Sequence, residues 1–246
     1  MTKMAHIASS YDGTKLAAVD GNYYGNIYTS PDSGGTWAQR DKTSGEHTWS
    51  CIASSTDGTK LAASVFNGYI STSIDSGETW TTRATDERRN WKSITSSSDG
   101  TKLAAVDNFG GYIYTSSDSG VTWTARTSAG AKPWSWITSS SDGTKLFAVS
   151  HNFKCLFTSS DSGATWTEQA AAGGKEWDFI TSSADGTKLA AYVTGGYIYL
   201  SNDSGVTWIE EVSAGKRNWA GIAMSANGNK MVAVESGNRD VYVYRP

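Results

Sequence analysis

One pentapeptide returns along the whole chain at an interval that few folds can accommodate. Asp-Gly-Thr-Lys-Leu stands at Asp12 to Leu16, Asp57 to Leu61, Asp99 to Leu103, Asp142 to Leu146 and Asp185 to Leu189, with a relaxed copy at Asn227 to Met231. A second motif, Ser-x-Asp-Ser-Gly-x-Thr-Trp, ends at Trp37, Trp80, Trp123, Trp166 and Trp208, in steps of 43, 43, 43 and 42 residues. A third, Trp-x-x-Ile, begins at Trp49, Trp91, Trp134, Trp177 and Trp219, with Met4 and Ile7 in the matching places of the first unit. A period of this length leaves room for one small supersecondary unit per repeat.

Each period reads as four strands: Trp-x-x-Ile with its Ser and Thr residues, Lys-Leu-Ala-Ala-Val, Gly-Tyr-Ile-Tyr-Thr-Ser, and Thr-Trp-Thr-x-Arg. Turn signals at Asp-Gly, at a Gly/Asn cluster and at Asp-Ser-Gly separate them, which makes an antiparallel meander. A single sheet of this kind cannot cover both of its faces until neighbours stack on it. The chain is therefore predicted to be all-β, one six-bladed β-propeller domain over 1–246, with units at about 4–46, 47–88, 89–131, 132–174, 175–216 and 217–246. The sixth unit has neither the second motif nor a fourth strand, so its blade is expected to have three strands. Its edge is the Asp240 to Arg245 segment, where Arg239, Asp240 and Arg245 discourage pairing. A monomer is expected, with edge-to-edge dimerisation as the risk.

The 26 Gly, 3 Pro and 12% aromatic content suit short strands and tight turns. A net charge of −3 provides no basic field for nucleic acid. The opening Met1 to Ser10 has no apolar run, and nowhere do roughly 18 apolar residues follow one another, so neither a signal peptide nor a membrane span is expected. A soluble chain is expected, its compartment open, since a mature form without its signal would look the same. Cys51 and Cys155 occupy different repeat positions and read as small buried apolar residues without a disulfide framework. No metal or cofactor site is indicated.

The Ser-x-Asp-Ser-Gly-x-Thr-Trp motif resembles the Asp-box (BNR) repeat of the sialidase-like propellers, and its five copies span nearly the whole chain. The physics of the motif points to a structural role. The carboxylate accepts N–H bonds across a turn, Gly supplies positive φ, and Trp packs back on the hairpin. Asp32, Asp75, Asp118, Asp161 and Asp203, with Trp37, Trp80, Trp123, Trp166 and Trp208, are accordingly read as fold determinants and not as catalytic or metal-binding residues.

Successive turns of a meander alternate between its ends, so the Asp-Gly-Thr-Lys and Asp-Ser-Gly turns share one end. The variable loops between second and third strands share the other end with the connectors between blades. Function is expected at that second end. There, two residues before each connector Trp, stand His47, Arg89, Lys132, Lys175 and Arg217. A ring beside a cation can stack on a sugar while the cation takes an anionic or hydroxyl group. The candidate ligand-binding set is Trp49, Arg89 with Trp91, Lys132 with Trp134, Lys175 with Trp177, and Arg217 with Trp219. The competing reading is that each Trp packs between blades while the cation keeps the connector solvated. The Lys residues of the Asp-Gly-Thr-Lys turns read as a solvated rim.

The sialidase resemblance implies three Arg on a substrate carboxylate, a Tyr–Glu nucleophile pair and an Asp acid/base. Here Arg40, Arg83 and Arg126 share one outer-strand position and cannot converge. The carboxylates at the loop end, Asp20, Asp107, Asp178 and Glu235, read as turn-forming or solvated rather than as an acid/base pair. The leading expectation is a non-catalytic, lectin-like propeller binding glycans at repeated sites. A protein-interaction scaffold, a recently amplified or constructed repeat protein without a ligand, and a glycoside hydrolase stand as alternatives.

Overall fold

The Trp-x-x-Ile spacing poses a puzzle for a strand, because residues three apart point to opposite faces. The computed structural model, which describes residues 4–40, 47–237 and 240–244, shows how it is resolved. A register shift follows the Trp in four of the repeats: between Trp49 and Cys51, opposite Val106 and Asp107 for Trp91, between Trp177 and Phe179, and between Trp219 and Gly221. The extra residue of this bulge returns Trp and Ile to the same buried face. In the fourth repeat Trp134 lies ahead of the strand, which starts at Trp136.

The chain divides into two compact units, Met1–Ala125 and Arg126–Pro246. The first carries three sheets: β1 (Met4–Ser9), β2 (Leu16–Asp20), β3 (Ile27–Ser30) and β4 (Ala38–Gln39); then β5 (Thr48–Ser54), β6 (Leu61–Phe66), β7 (Ile70–Ser73) and β8 (Thr81–Arg83); then β9 (Trp91–Ser96), β10 (Leu103–Asp107), β11 (Ile113–Ser116) and β12 (Thr124–Arg126), which ends at the boundary. The second carries β13 (Trp136–Ser139), β14 (Leu146–Ser150), β15 (Cys155–Ser159) and β16 (Thr167–Glu168); then β17 (Trp177–Ser182), β18 (Leu189–Val193), β19 (Ile198–Ser201) and β20 (Ile209–Glu211); and last β21 (Trp219–Met224), β22 (Met231–Glu235) and β23 (Val241–Tyr244). Strand order within every sheet is sequential and antiparallel. This is a six-bladed β-propeller whose last blade has three strands among the described residues. The helical content there is limited to 3-10 turns at Thr127–Ala129, Ala170–Ala172 and Val212–Ala214, and no helix is long and apolar enough to cross a membrane.

The second strands of the first five blades are buried on both faces, which explains their unbroken apolar runs. In the first unit Ala17, Val19 and Ile27 pack on Trp49, Ile52, Leu61 and Ala63 of the next blade. In the second unit Ala190, Tyr192 and Ile198 meet Trp219, Ile222 and Met231 in the same way. The sixth blade presents the equivalent face to solvent through Val232, Val234, Val241 and Val243, and β23 is its edge. Of the charges expected beside that edge, Asp240 precedes β23, while Arg239 and Arg245 lie outside the described residues.

The Asp-Gly-Thr-Lys turns prove to be joints between blades, not a solvated rim. Tyr11 N–H donates to Thr56 O at 2.8 Å and Thr56 N–H to Ser98 O at 2.7 Å. In the second unit Ser141 N–H donates to Ala184 O and Ala184 N–H to Ala226 O. In four of these turns the lysine reaches the next blade: Lys15 Nζ donates to Ser76 Oγ at 3.2 Å, Lys60 Nζ to Ser119 Oγ at 3.5 Å, Lys145 Nζ to Ser204 Oγ at 3.3 Å, and Lys188 Nζ to Asn229 Oδ1. Its stem runs under the neighbouring turn glycine, where the apolar part of a long side chain can be buried while its charge stays wet.

Candidate functional site

The five Asp-Ser-Gly turns repeat one hydrogen-bond pattern, illustrated by the third. Asp118 Oδ1 accepts from Thr122 N at 2.9 Å and Ser116 Oγ at 2.7 Å, and Oδ2 accepts from Thr122 Oγ1 at 2.6 Å. Ser116 Oγ also accepts from the buried Gly120 N–H at 2.9 Å, and Trp123 Nε1 donates to Gly120 O at 3.0 Å. The same bonds hold Asp32, Asp75, Asp161 and Asp203, and Trp37, Trp80, Trp166 and Trp208 make the same indole bond. These donors hold the carboxyls of Asp32, Asp75 and Asp161 at about 2, well below the usual range. From the sequence, positive φ is expected of the Gly alone. In fact Ser and Gly both adopt it, as at Ser119 (φ 59) and Gly120 (φ 85), and the Asp and Ser side-chain bonds hold the serine in this uncommon conformation.

The connector tryptophans are not ligand platforms. Trp49, Trp91, Trp134, Trp177 and Trp219 are all 3% exposed or less, so no indole face is open to a sugar. Nε1 of Trp49 donates to Gly25 O and that of Trp219 to Gly196 O, tying each to the loop of the preceding blade. The cations are engaged as well. Lys132 Nζ donates to Ala129 O at 2.6 Å, Lys175 Nζ to Ala172 O at 3.0 Å and Arg217 Nε to Ala214 O at 2.7 Å. They also lie over third-strand rings, at 4.8 Å for Phe157, 5.0 Å for Tyr199 and 4.2 Å for Tyr242. Arg89 stacks over Tyr114 at 4.6 Å and pairs with Asp86. The cation and the Trp are brought together as expected, but as parts of one packed connector.

The remaining candidates are also locally committed. Asp20 is buried and caps Asn22 N–H, Asp107 caps Phe109 N–H, Asp178 holds His151 Nδ1 at 2.8 Å and Thr194 N–H, and Glu235 pairs with Arg217 at 3.4 Å. Arg40 and Arg83 each donate from Nε to a third-strand Thr of their own blade. Cys51 is fully buried, with Sγ 3.5 Å from His6 Nδ1, a pairing the sequence did not signal. Burial acts to raise its thiol, but the neighbouring imidazole holds it below the usual value. Burial pushes Cys155 up to about 11.

What the sequence reading passed over is a set of aromatic side chains where second strands end and the loops to the third strands run. In the three successive blades of the first unit, Tyr23 is 62% exposed, Tyr24 66%, Phe66 50% and Phe109 85%. Tyr23 and Tyr24 meet edge to face at 5.1 Å. The loops that carry them are stitched to the connectors: Gly25 N–H donates to His47 O, Gly68 and Arg89 exchange both backbone bonds, and Asn108 N–H donates to Asn90 O. The rings therefore project from fixed backbone.

No family model matches the sequence, and no curated protein matches it. Solved structures do. One described as YCF48 bound to D1 peptide is similar with a TM-score of 0.75 at 17% identity, over 99% of this chain and 78% of that one. The likeness is one of fold. YCF48 from Cyanidioschyzon merolae gives 0.61 at 15% identity, over 99% of this chain and 95% of that one. The GH74 enzyme of Niastella koreensis gives 0.72 at 19% identity, where this chain covers only 36% of the larger molecule.

Proposed function

We propose that the protein is a non-catalytic binding scaffold that takes a segment of another protein on the loop end of its first unit. The observation that carries this reading is the exposure of Tyr23, Tyr24, Phe66 and Phe109 on backbone-anchored loops of successive blades, while the connector tryptophans are buried. Exposed aromatics on a rigid frame supply large contact area at little entropic cost, and such residues dominate binding energy at protein interfaces. A propeller of the same fold described with a bound peptide supports a peptide partner. The local commitments of Asp20, Asp107, Asp178 and Glu235 support the non-catalytic part. A lectin-like function loses its tryptophan platforms and is the weaker reading. On its motif and its hydrogen bonds, we also read the repeated turn as an Asp-box.

Selection of a random peptide library on the immobilised protein, followed by fluorescence anisotropy with an enriched peptide, tests the proposal. Phe109→Ala and Phe66→Ala should each weaken binding at least tenfold, and Phe153→Ala, in the second unit, should leave it unchanged. Absence of enriched peptides, or affinity indifferent to these substitutions, overturns it. Hits on a glycan array in that case would restore the sugar-binding reading.

A further inference from the structure

The connector into the third blade departs from those into the fourth, fifth and sixth at one informative place. Counted from the cation before the Trp, Asp86 aligns with Ala129, Ala172 and Ala214. In those three repeats a 3-10 turn ends on the alanine. Ala129 and Ala172 are buried at 2% and 1% exposure, and Ala172 packs in the cluster that holds Trp177, Tyr199 and Trp208. The third connector has no such turn. Ala84 adopts φ 50, and the Asp86 side chain swings out to 68% exposure to meet Arg89. A cavity of about 390 Å³ opens, lined by Thr85, Asp86, Arg89, Tyr114, Val121 and Trp123 among others. Tyr114 and Trp123 correspond to Tyr199 and Trp208, the rings of the cluster that Ala172 joins in the fifth blade.

The charges decide what this cavity accepts. Arg89 is only 9% exposed and its guanidinium is fully engaged. Nε donates to Tyr114 OH at 2.9 Å, Nη1 to Asp86 Oδ1 at 3.1 Å and Glu87 O at 3.2 Å, and Nη2 to Asp86 Oδ2 at 2.7 Å and Glu87 Oε2 at 3.4 Å. One buried cation thus faces two carboxylates, both more than two-thirds exposed. Arg88 turns toward the second blade and lies over the Tyr69 ring at 5.5 Å. Anions are disfavoured here, which reverses the expectation that the cation at Arg89 takes an anionic group. Aromatic walls beside carboxylates with spare lone pairs make a receptor for a cation.

We propose that this cavity binds a cationic side chain, an arginine or lysine of the partner segment, stacked on Trp123 with its charge toward Asp86 and Glu87. The binding of a cation stands on the cavity alone; only its source in a partner segment rests on the function proposed above. The test uses Nα-acetyl-arginine amide as probe and the indole N–H resonance of Trp123, assigned through Trp123→Phe, as readout. The wild-type protein should show a saturable shift with a Kd on the order of millimolar. Asp86→Ala should weaken it at least tenfold and should fold, since Ala occupies this place in three other repeats. Asp86→Asn, which keeps the size, should do the same. Phe66→Ala and Phe109→Ala should leave it unchanged, which separates this site from the loop-end aromatics. The proposal is overturned if Trp123 does not respond, if the citrulline analogue binds equally, or if both Asp86 variants retain affinity.

Discussion

Gly13 and Gly58 occupy the same place in successive Asp-Gly-Thr-Lys turns, with φ of 71° and 69°. They differ in what lies against them. A Cβ on Gly13 would meet nothing within 4 Å, whereas one on Gly58 would stand 2.8 Å from both Cβ and Cδ of Lys15 and 3.3 Å from Ser10 Cβ, in the preceding blade. Alanine in the left-handed region costs about 1 kcal/mol at either site. At Gly58 the clash adds an overpacking penalty of about 1–3 kcal/mol, because Lys15 Cβ is tethered to a strand and cannot swing aside. Gly13→Ala should therefore cost about 1 kcal/mol and Gly58→Ala about 2–4 kcal/mol. For a chain of this length each kcal/mol lowers Tm by about 2–4 °C. Gly100→Ala, whose Cβ would meet Lys60 Cδ at 2.7 Å, should behave like Gly58→Ala. Thermal and urea unfolding followed by both circular dichroism and tryptophan fluorescence would measure the three. Equal losses at Gly13 and Gly58 would refute the reading that these turns are seated on the lysine stem of the blade before.

Ser116→Ala should destabilise more than Asp118→Ala, by about 1–3 against about 1 kcal/mol, because the serine leaves the buried Gly120 N–H without an acceptor while water can reach Thr122 N–H. The reverse order in urea midpoints would show that the carboxylate, not the hydroxyl, holds the turn. The carboxyls of Asp12, Asp57, Asp99 and Asp185 are depressed from 3.8 to about 2 by the turn hydrogen bonds. Groups depressed on folding stabilise above their unfolded value and lose that contribution as pH falls through the folded one. Urea midpoints should be level from neutrality to about pH 4 and fall between about pH 4 and 2; a fall that begins above pH 5 would assign acid unfolding to other groups.

The count of blades, the strand of each repeat and the missing fourth strand at the end were legible because the motifs mark turns, and turn chemistry is local. The joints between blades were not. Lys15 and Lys60 read as solvated because nothing in a linear sequence shows that a glycine of the next repeat will rest on the stem, or that a serine some 60 residues away will take the ammonium. The connector tryptophans were open to two readings for a related reason. Only the bulge after Trp49, Trp91, Trp177 and Trp219 decides that the indole shares the face of the following Ile and is buried with it. Tyr23, Tyr24, Phe66 and Phe109 escaped notice because their loops differ in length and composition, so no period aligns them.

A side chain that recurs in every repeat has an explanation already available in packing, since every repeat must solve the same folding problem. The indoles, the Asp-Ser-Gly carboxylates and the lysine stems are all accounted for in that way. Information about function then concentrates where one repeat abandons a solution the others keep. At Asp86 the connector lacks the 3-10 turn that elsewhere lays an alanine against aromatic rings, and a carboxylate stands at the rim of the cleft, so one departure both opens the site and sets its charge. In the fifth blade a 3-10 turn lays Ala172 against the equivalent rings, whereas here that turn is absent and a cleft of about 390 Å³ stands open to solvent. The cleft's place beside a cation already neutralised by two carboxylates is what points the search for a partner toward basic side chains, and away from the anionic groups that the cations before the connector tryptophans had suggested.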